Sequence, residues 1–174
     1  MAAIPQSLTK RLATAPDGTG EKALQAMAWL CDDQEIREDK GNNKDSGGWI
    51  ARFLKNLGLD PGQPWCAASL WWCCVQAKCA RPPTGGASVY EWVQWAKREG
   101  RLLTEPKRGC AVARLIGRKG HMGICRAYRK PEVDSIEGNT SAGVTGSQRD
   151  GGGMYRRTRP KRSWGYFIDL DVRP

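Results

Sequence analysis

The stretch PGQPWCAASLWWCCVQ, residues 61 to 76, sets a cysteine just after a proline-bounded turn and at the head of a nearly all-apolar run. A cysteine attacks only as its thiolate. The common ways of favouring the thiolate are the positive end of a helix and a nearby imidazolium. Cys66 meets the first condition by position. Neither Pro61 nor Pro64 can sit inside a helix, so the helix begins at or after Trp65. The N–H of Cys66 is then one of the free amides of the first turn and can face an oxyanion. Cys73 and Cys74 lie about two turns deeper, where that help is absent.

The base must come from elsewhere, and the chain has one histidine, His121. That excludes a two-histidine metal site. Adjacent cysteines on a helix point about 100° apart and no pair has CxxC spacing, so no metal and no cofactor is expected. His121 opens a strand after the turn-like Arg118-Lys119-Gly120. Alternation puts His121, Gly123 and Cys125 on one face, and Met122 and Ile124 on the other. Gly123 leaves room for another chain beside the imidazole. Glu137 and Asn139 lie two apart on the next strand, and a carboxylate or amide there would fix the tautomer of the ring. The candidate set is therefore Cys66, His121, Glu137 and Asn139. Each also has an ordinary structural role open to it: a packed thiol, a core or surface histidine, a Glu-Gly-Asn turn.

The elements that must position these residues follow from periodicity. Residues 1–18 read as a flexible arm ending in Pro16-Asp17-Gly18, and residues 19–174 as a single catalytic domain. Leu24, Met27, Ala28 and Cys31 mark a helix with Thr19 as its cap. DKGNNKDSGG (39–48) is a loop. Trp49, Phe53, Leu54 and Leu57 mark a second helix, stopped by Gly58. The helix bearing Cys66 runs to about Lys78 and is apolar nearly all round, as a central buried helix should be. Ser88 caps a fourth, with Val89, Trp92, Val93 and Ala96 on one side and Gly100 at its end. The period then changes to that of strands: CAVARLI (110–116), HMGICRAY (121–128), EVDSIEG (132–138), GMYRRTRP and SWGYFIDLDV. GVTGSQRDGGG (143–153) is a glycine-rich loop. Helices first and strands second predict α+β, with an antiparallel sheet packed on the central helix.

GNN (41–43), LGLDPGQPWCAASLWWC (57–73), GHMGI (120–124) and IEGNTS (136–141), in this order, resemble the CHAP family of cysteine, histidine-dependent amidohydrolases and peptidases. That family belongs to the wider papain-like set that includes the NlpC-type peptidases. The resemblance extends from about Glu21 to the terminal SWGYFIDL. It implies a papain-like fold and cleavage of amide bonds in peptidoglycan. It further implies Cys66 as nucleophile, His121 as base, Glu137 as the third member and Asn139 as a further polar position. Two departures stand out. Arg108-Gly109-Cys110 replaces a common Pro-Gly-Asp turn, and the stretch before the cysteine has only Asp60, so no calcium site is expected there. Gln63 is a candidate oxyanion donor.

Composition bounds the partners. A chain of 174 residues with 40% apolar residues and eight tryptophans can bury a real core. Its formal net charge of +10 calls for an anionic partner. Carboxylates of peptidoglycan and phosphates of other envelope polymers fit, met chiefly by the run Arg156–Arg162. No apolar run is long enough to span a bilayer, and the N-terminus lacks a signal-peptide core. The expectation is a monomeric phage endolysin, made in the cytoplasm and acting on the wall after release. A type VI-like secreted amidase effector would share the chemistry. A non-catalytic nucleic-acid-binding domain, using the basic run and the tryptophans, is the alternative from another class.

Overall fold

The computed structural model describes residues 4–39, 42–141 and 152–172. The glycine-rich loop read over 143–153 lies outside them as far as residue 151, as does Gly41 of the GNN motif. Among the described residues, five helices precede six strands, which is an α+β arrangement.

The expected arm over 1–18 is instead helical over Gln6–Ala13 (α1). Ile4, Leu8 and Leu12 recur every four residues and pack into the core, Leu8 fully buried, and Arg11 bonds Gln25 and Asp33 at 3.2 and 2.6 Å. Docking on the next helix, α2 (Thr19–Asp32), gives this short segment the order that local propensity alone would not. Thr19 is the first helical residue of α2 and not its cap; Gly18 takes the cap position. The Thr19 hydroxyl donates to the Leu170 carbonyl and accepts from the Val172 N–H, which ties the C-terminal segment to α2. Helix α3 (Trp49–Lys55) is started by the Asp45 carboxylate, which accepts from the Trp49 and Ile50 N–H groups at 2.8 and 2.9 Å. Helix α4 (Cys66–Gln76) begins one residue after its Trp65 cap, as the prolines require. Helix α5 (Val89–Arg98) has Ser88 as its cap, accepting from the Glu91 N–H.

The strands are β1 (Leu102–Leu103), β2 (Ala111–Ile116), β3 (Lys119–Arg129), β4 (Glu132–Thr140), β5 (Gly153–Pro160) and β6 (Tyr166–Ile168). They form one antiparallel sheet in the order β1-β6-β2-β3-β4-β5. The two-residue β1 carries no sequence signal and forms by pairing with β6. Ala111, Ala113, Met122, Ile124 and Ile136 belong to the core shared with the helices. A smaller cluster holds Cys110, Val112, Cys125, Val133, Trp164 and Phe167. Alternation along β2 and β3 divides the two sets.

Helix α4 lies between α2 and strands β3 and β4. Its start is fixed from both sides. Trp65 is fully buried, stacks on Phe53 at 6.1 Å, and donates its indole N–H to Glu38 at 2.9 Å. Trp72, one helical face further on, meets Trp49 edge-on at 5.5 Å, and Trp49 meets Trp29 at 5.4 Å. Such aromatic pairs each add about 1 kcal/mol beyond the burial of their area. On the other side the first turn of α4 rests on the backbone of β4. A Cβ placed on Gly138 would come within 2.6 Å of both Ser69 Oγ and the Trp65 ring. Only glycine allows helix and strand to approach this closely.

Gly138→Ala is therefore expected to lift the start of α4 off β4. Overpacking of this kind costs about 1–3 kcal/mol, or about 5 °C in melting midpoint for a chain of this size. Calorimetry combined with alkylation of Cys66 checks this; a variant unchanged in both would show that the close approach does not align the two layers.

Candidate active site

Cys66 is the first residue of α4, and its cap, Trp65, supplies no side-chain hydrogen bond. The amides of the first turn are thus left for other partners. Burial raises the pKa of the Cys66 thiol, but it is outweighed by the hydrogen bond and charge of His121 and by the N–H groups of Met122 and Ala67, so the net shift is downward. The other thiols fare differently. Burial pushes Cys73 and Cys74 well above the ordinary range, and burial with the neighbouring Asp32 pushes Cys31 up to about 11. Cys110 is raised by its contact with Cys125 and by burial. Cys125 is lowered by accepting from Cys110. Of the two lowered thiols, Cys66 is the one that meets a histidine and opens into a cleft.

His121 sits near the start of β3, almost fully buried. Its Nε2–H donates to Glu137 Oε2 at 2.7 Å. That bond leaves Nδ1, which makes no regular hydrogen bond to nitrogen or oxygen, as the ring atom for the thiol. The ring lies nearly parallel to Trp164, 6.3 Å between centroids. Burial works against an imidazolium here, yet hydrogen bonds to Cys66 and Glu137 win and raise the His121 pKa to about 9. This is the combination that supports a thiolate–imidazolium pair.

Glu137 is fully buried and every direction around its carboxylate is filled. Ser135 Oγ donates to Oε1 at 2.7 Å, and Arg159 binds both oxygens at 2.8 Å. Burial would raise its pKa, but His121 and Arg159 together bring it down to about 2. Gly123 makes the approach possible, because a Cβ there would fall 2.8 Å from Glu137 Cγ. The signs of the two shifts define where this network stabilises the fold. The glutamate's contribution is complete above the ordinary carboxylate value of 4.5 and is lost as pH falls towards about 2. The histidine's is complete below 6.5 and is lost as pH rises through about 9.

The structure thus brings Cys66, His121 and Glu137 together. Asn139 is buried on the same strand but lies within a shift of the β4–β5 register, with φ 51°. The alternation that would put it on the face of Glu137 breaks there, and the hydrogen bond to the imidazole comes from Glu137. Three contributors were not singled out from sequence: Ser135, Trp164 and Arg159. Arg159 was read as part of an exposed basic patch. Its side chain is only 14% exposed and passes over Trp164 at 5.9 Å on its way to Glu137. Within the same run, Arg156 pairs with Asp32 and Lys161 with Glu105, so much of that charge is internally matched. Period-2 alternation in β5 could have set Tyr155, Arg157 and Arg159 on one face; the strand register could not be read.

A cleft of about 440 Å³ opens over Cys66 and His121, with Gln63, Pro64 and Arg114 among its walls. Gln63, the candidate oxyanion donor, thus lines the same cleft as Cys66. Among the described residues, no group of three His, Cys, Asp or Glu side chains could hold a metal ion, and no helix is long and apolar enough to cross a membrane. The arrangement equips a cysteine thiolate to attack a carbonyl and an imidazolium to protonate what leaves. No protein-family model, curated protein or solved structure matches the chain.

Two outcomes follow. Iodoacetamide should label Cys66 at pH values well below the ordinary thiol midpoint of about 8.5. In His121→Ala, with burial unopposed, labelling should require a higher pH; peptide mass mapping identifies the modified thiol. Arg159→Ala should let Glu137 take up a proton more readily and move the acid side of this reactivity profile to higher pH, with Arg159→Lys restoring part of the shift. A lower plateau with an unmoved midpoint would mean that Arg159 serves the fold alone.

Proposed function

We propose that this protein is a papain-like cysteine hydrolase that cleaves an amide bond of bacterial peptidoglycan, in the manner of a phage endolysin. The observation that carries the chemistry is the Cys66 thiol, lowered at a helix start against the chain's one histidine, with a buried carboxylate behind that ring. The motifs PWCAA, GHMGI and EGN, which supply these three residues, support the peptidoglycan amide as substrate. So does the net charge of +10, since the wall bears carboxylates. The helical layer that delivers a cysteine to the edge of an antiparallel sheet supports the papain-like reading.

In this mechanism the Cys66 thiolate attacks the amide carbonyl and an Sγ–C bond forms. The resulting oxyanion faces the first-turn amides of α4 and Gln63. The C–N bond then breaks, and the amine leaves with the imidazolium proton of His121. Neutral His121 next takes a proton from water as its oxygen attacks the thioester. The C–S bond breaks, releasing the carboxylic acid and restoring the thiolate. Glu137 stays ionised throughout and holds the ring by its Nε2–H.

The reading of the chain as a nucleic-acid binder loses its stacking surface. Trp29, Trp65, Trp72, Trp92, Trp95 and Trp164 are all buried, so they cannot serve as a platform for bases.

Cys66→Ala and His121→Ala should each abolish release of amines from purified peptidoglycan while remaining folded by circular dichroism. Glu137→Gln should retain measurable activity. Full lytic activity in Cys66→Ala would overturn the mechanism, and mass spectrometry of the digest identifies the bond cut.

A further inference from the structure

Arg114 occupies an unusual position. It lies on β2 directly opposite His121 in the register with β3, so its side chain leaves the sheet on the same face as the imidazole. It lines the cleft together with Cys66 and is half-buried. Several other arginines have acids to bind: Arg108 has Glu21, Arg129 has Asp134, Arg156 has Asp32, and Arg159 has Glu137. Among the described residues, no hydrogen bond or ion pair holds the guanidinium of Arg114. Glu137 is close enough to be felt, but its oxygens are already taken by His121, Arg159 and Ser135. Partial burial and the charge of Arg159 both press against the Arg114 cation. A cation taken partly out of water without a partner is costly, and a planar guanidinium is suited to bind a carboxylate through two hydrogen bonds. The cleft wall adds Lys119 and Arg118, the latter stacked on Tyr90 at 4.8 Å, and no described acidic side chain lines it.

We propose that this cleft takes acyl donors carrying a free carboxylate next to the scissile amide, and that Arg114 is the side chain that pairs with it. The proposal rests on Cys66 being the nucleophile, and it deepens the reading above by naming the ionic group the substrate must present. A neutral carboxamide at that position leaves Arg114 unsatisfied and should be disfavoured.

Iodoacetate and iodoacetamide test this directly. In both, the Cys66 thiolate attacks the same methylene carbon and displaces iodide; they differ only in carboxylate against carboxamide. The ratio of their rate constants cancels the thiolate fraction, so it is blind to any change that Arg114 makes in the acidity of Cys66. In the full chain, with Cys66 labelling followed by peptide mass, Arg114→Ala should lower the iodoacetate-to-iodoacetamide ratio about tenfold, the equivalent of about 1.4 kcal/mol. Arg114→Lys should retain part of it, and added salt should shrink the wild-type ratio. Wall fragments with amidated stem carboxylates should be cut more slowly than free ones, with the gap narrowed in Arg114→Ala. An unchanged ratio in Arg114→Ala, with wall cleavage intact, overturns the carboxylate pocket alone. A ratio that falls as expected in a protein that releases nothing from peptidoglycan supports the pocket and overturns the wall as substrate. A wild-type Cys66 inert to both reagents overturns the nucleophile and the pocket together.

Discussion

The buried carboxylate of Glu137 is the interaction on which the site depends. An ionised acid in a sheet interior is tolerable only when its oxygens are fully paired. Here the pairing is itself the machinery: Arg159 from β5 neutralises the charge, Ser135 fixes one oxygen, and His121 receives its tautomer from the other. Removing Arg159 leaves the carboxylate charge unmatched in a dry place, and removing Ser135 or His121 leaves an oxygen of it without its donor. The network is therefore both a structural requirement of the sheet and the source of the basicity at Nδ1.

The helical layer answers to the same geometry. Cys66 is useful only where α4 starts, and that first turn can lie against β4 because Gly138 carries no side chain. Trp65 then holds the turn against Phe53 and, through Glu38, against the loop before α3. Two glycines, Gly138 under the helix and Gly123 under Glu137, set the two closest approaches of the site. A side chain at Gly138 would occupy space that Ser69 and the Trp65 ring already fill, and one at Gly123 the space of the Ile136 carbonyl and the Glu137 side chain.

Much of this was legible in the chain. Prolines at 61 and 64 placed the start of α4, Ser88 placed α5, and alternation placed His121 and Gly123 on one face of β3. These are local rules that act within a few residues. What escaped them is non-local. Arg159 reads as one more cation in a basic run until the register of β4 with β5 is known. Trp164 follows a short 3₁₀ turn that carries no signal of its own. The side of β4 that Asn139 takes is not legible either, because alternation assumes a regular ladder and the β4–β5 register shifts between Glu137 and Thr140. The α1 segment shows its apolar face in Ile4, Leu8 and Leu12, but so short a segment is held only by docking on α2, which its own residues do not reveal.

Cys66 and His121 belong to different layers, one built of nearby helical turns and the other of strands paired across the sheet. Neither layer alone sets a sulfur against the histidine. A chain that has formed its helices but not yet closed its sheet carries seven ordinary thiols. Reactivity at Cys66 is thus a certificate of tertiary assembly. Counting the molecules that react fast at neutral pH counts those in which both layers have met, which no measure of helix content can do.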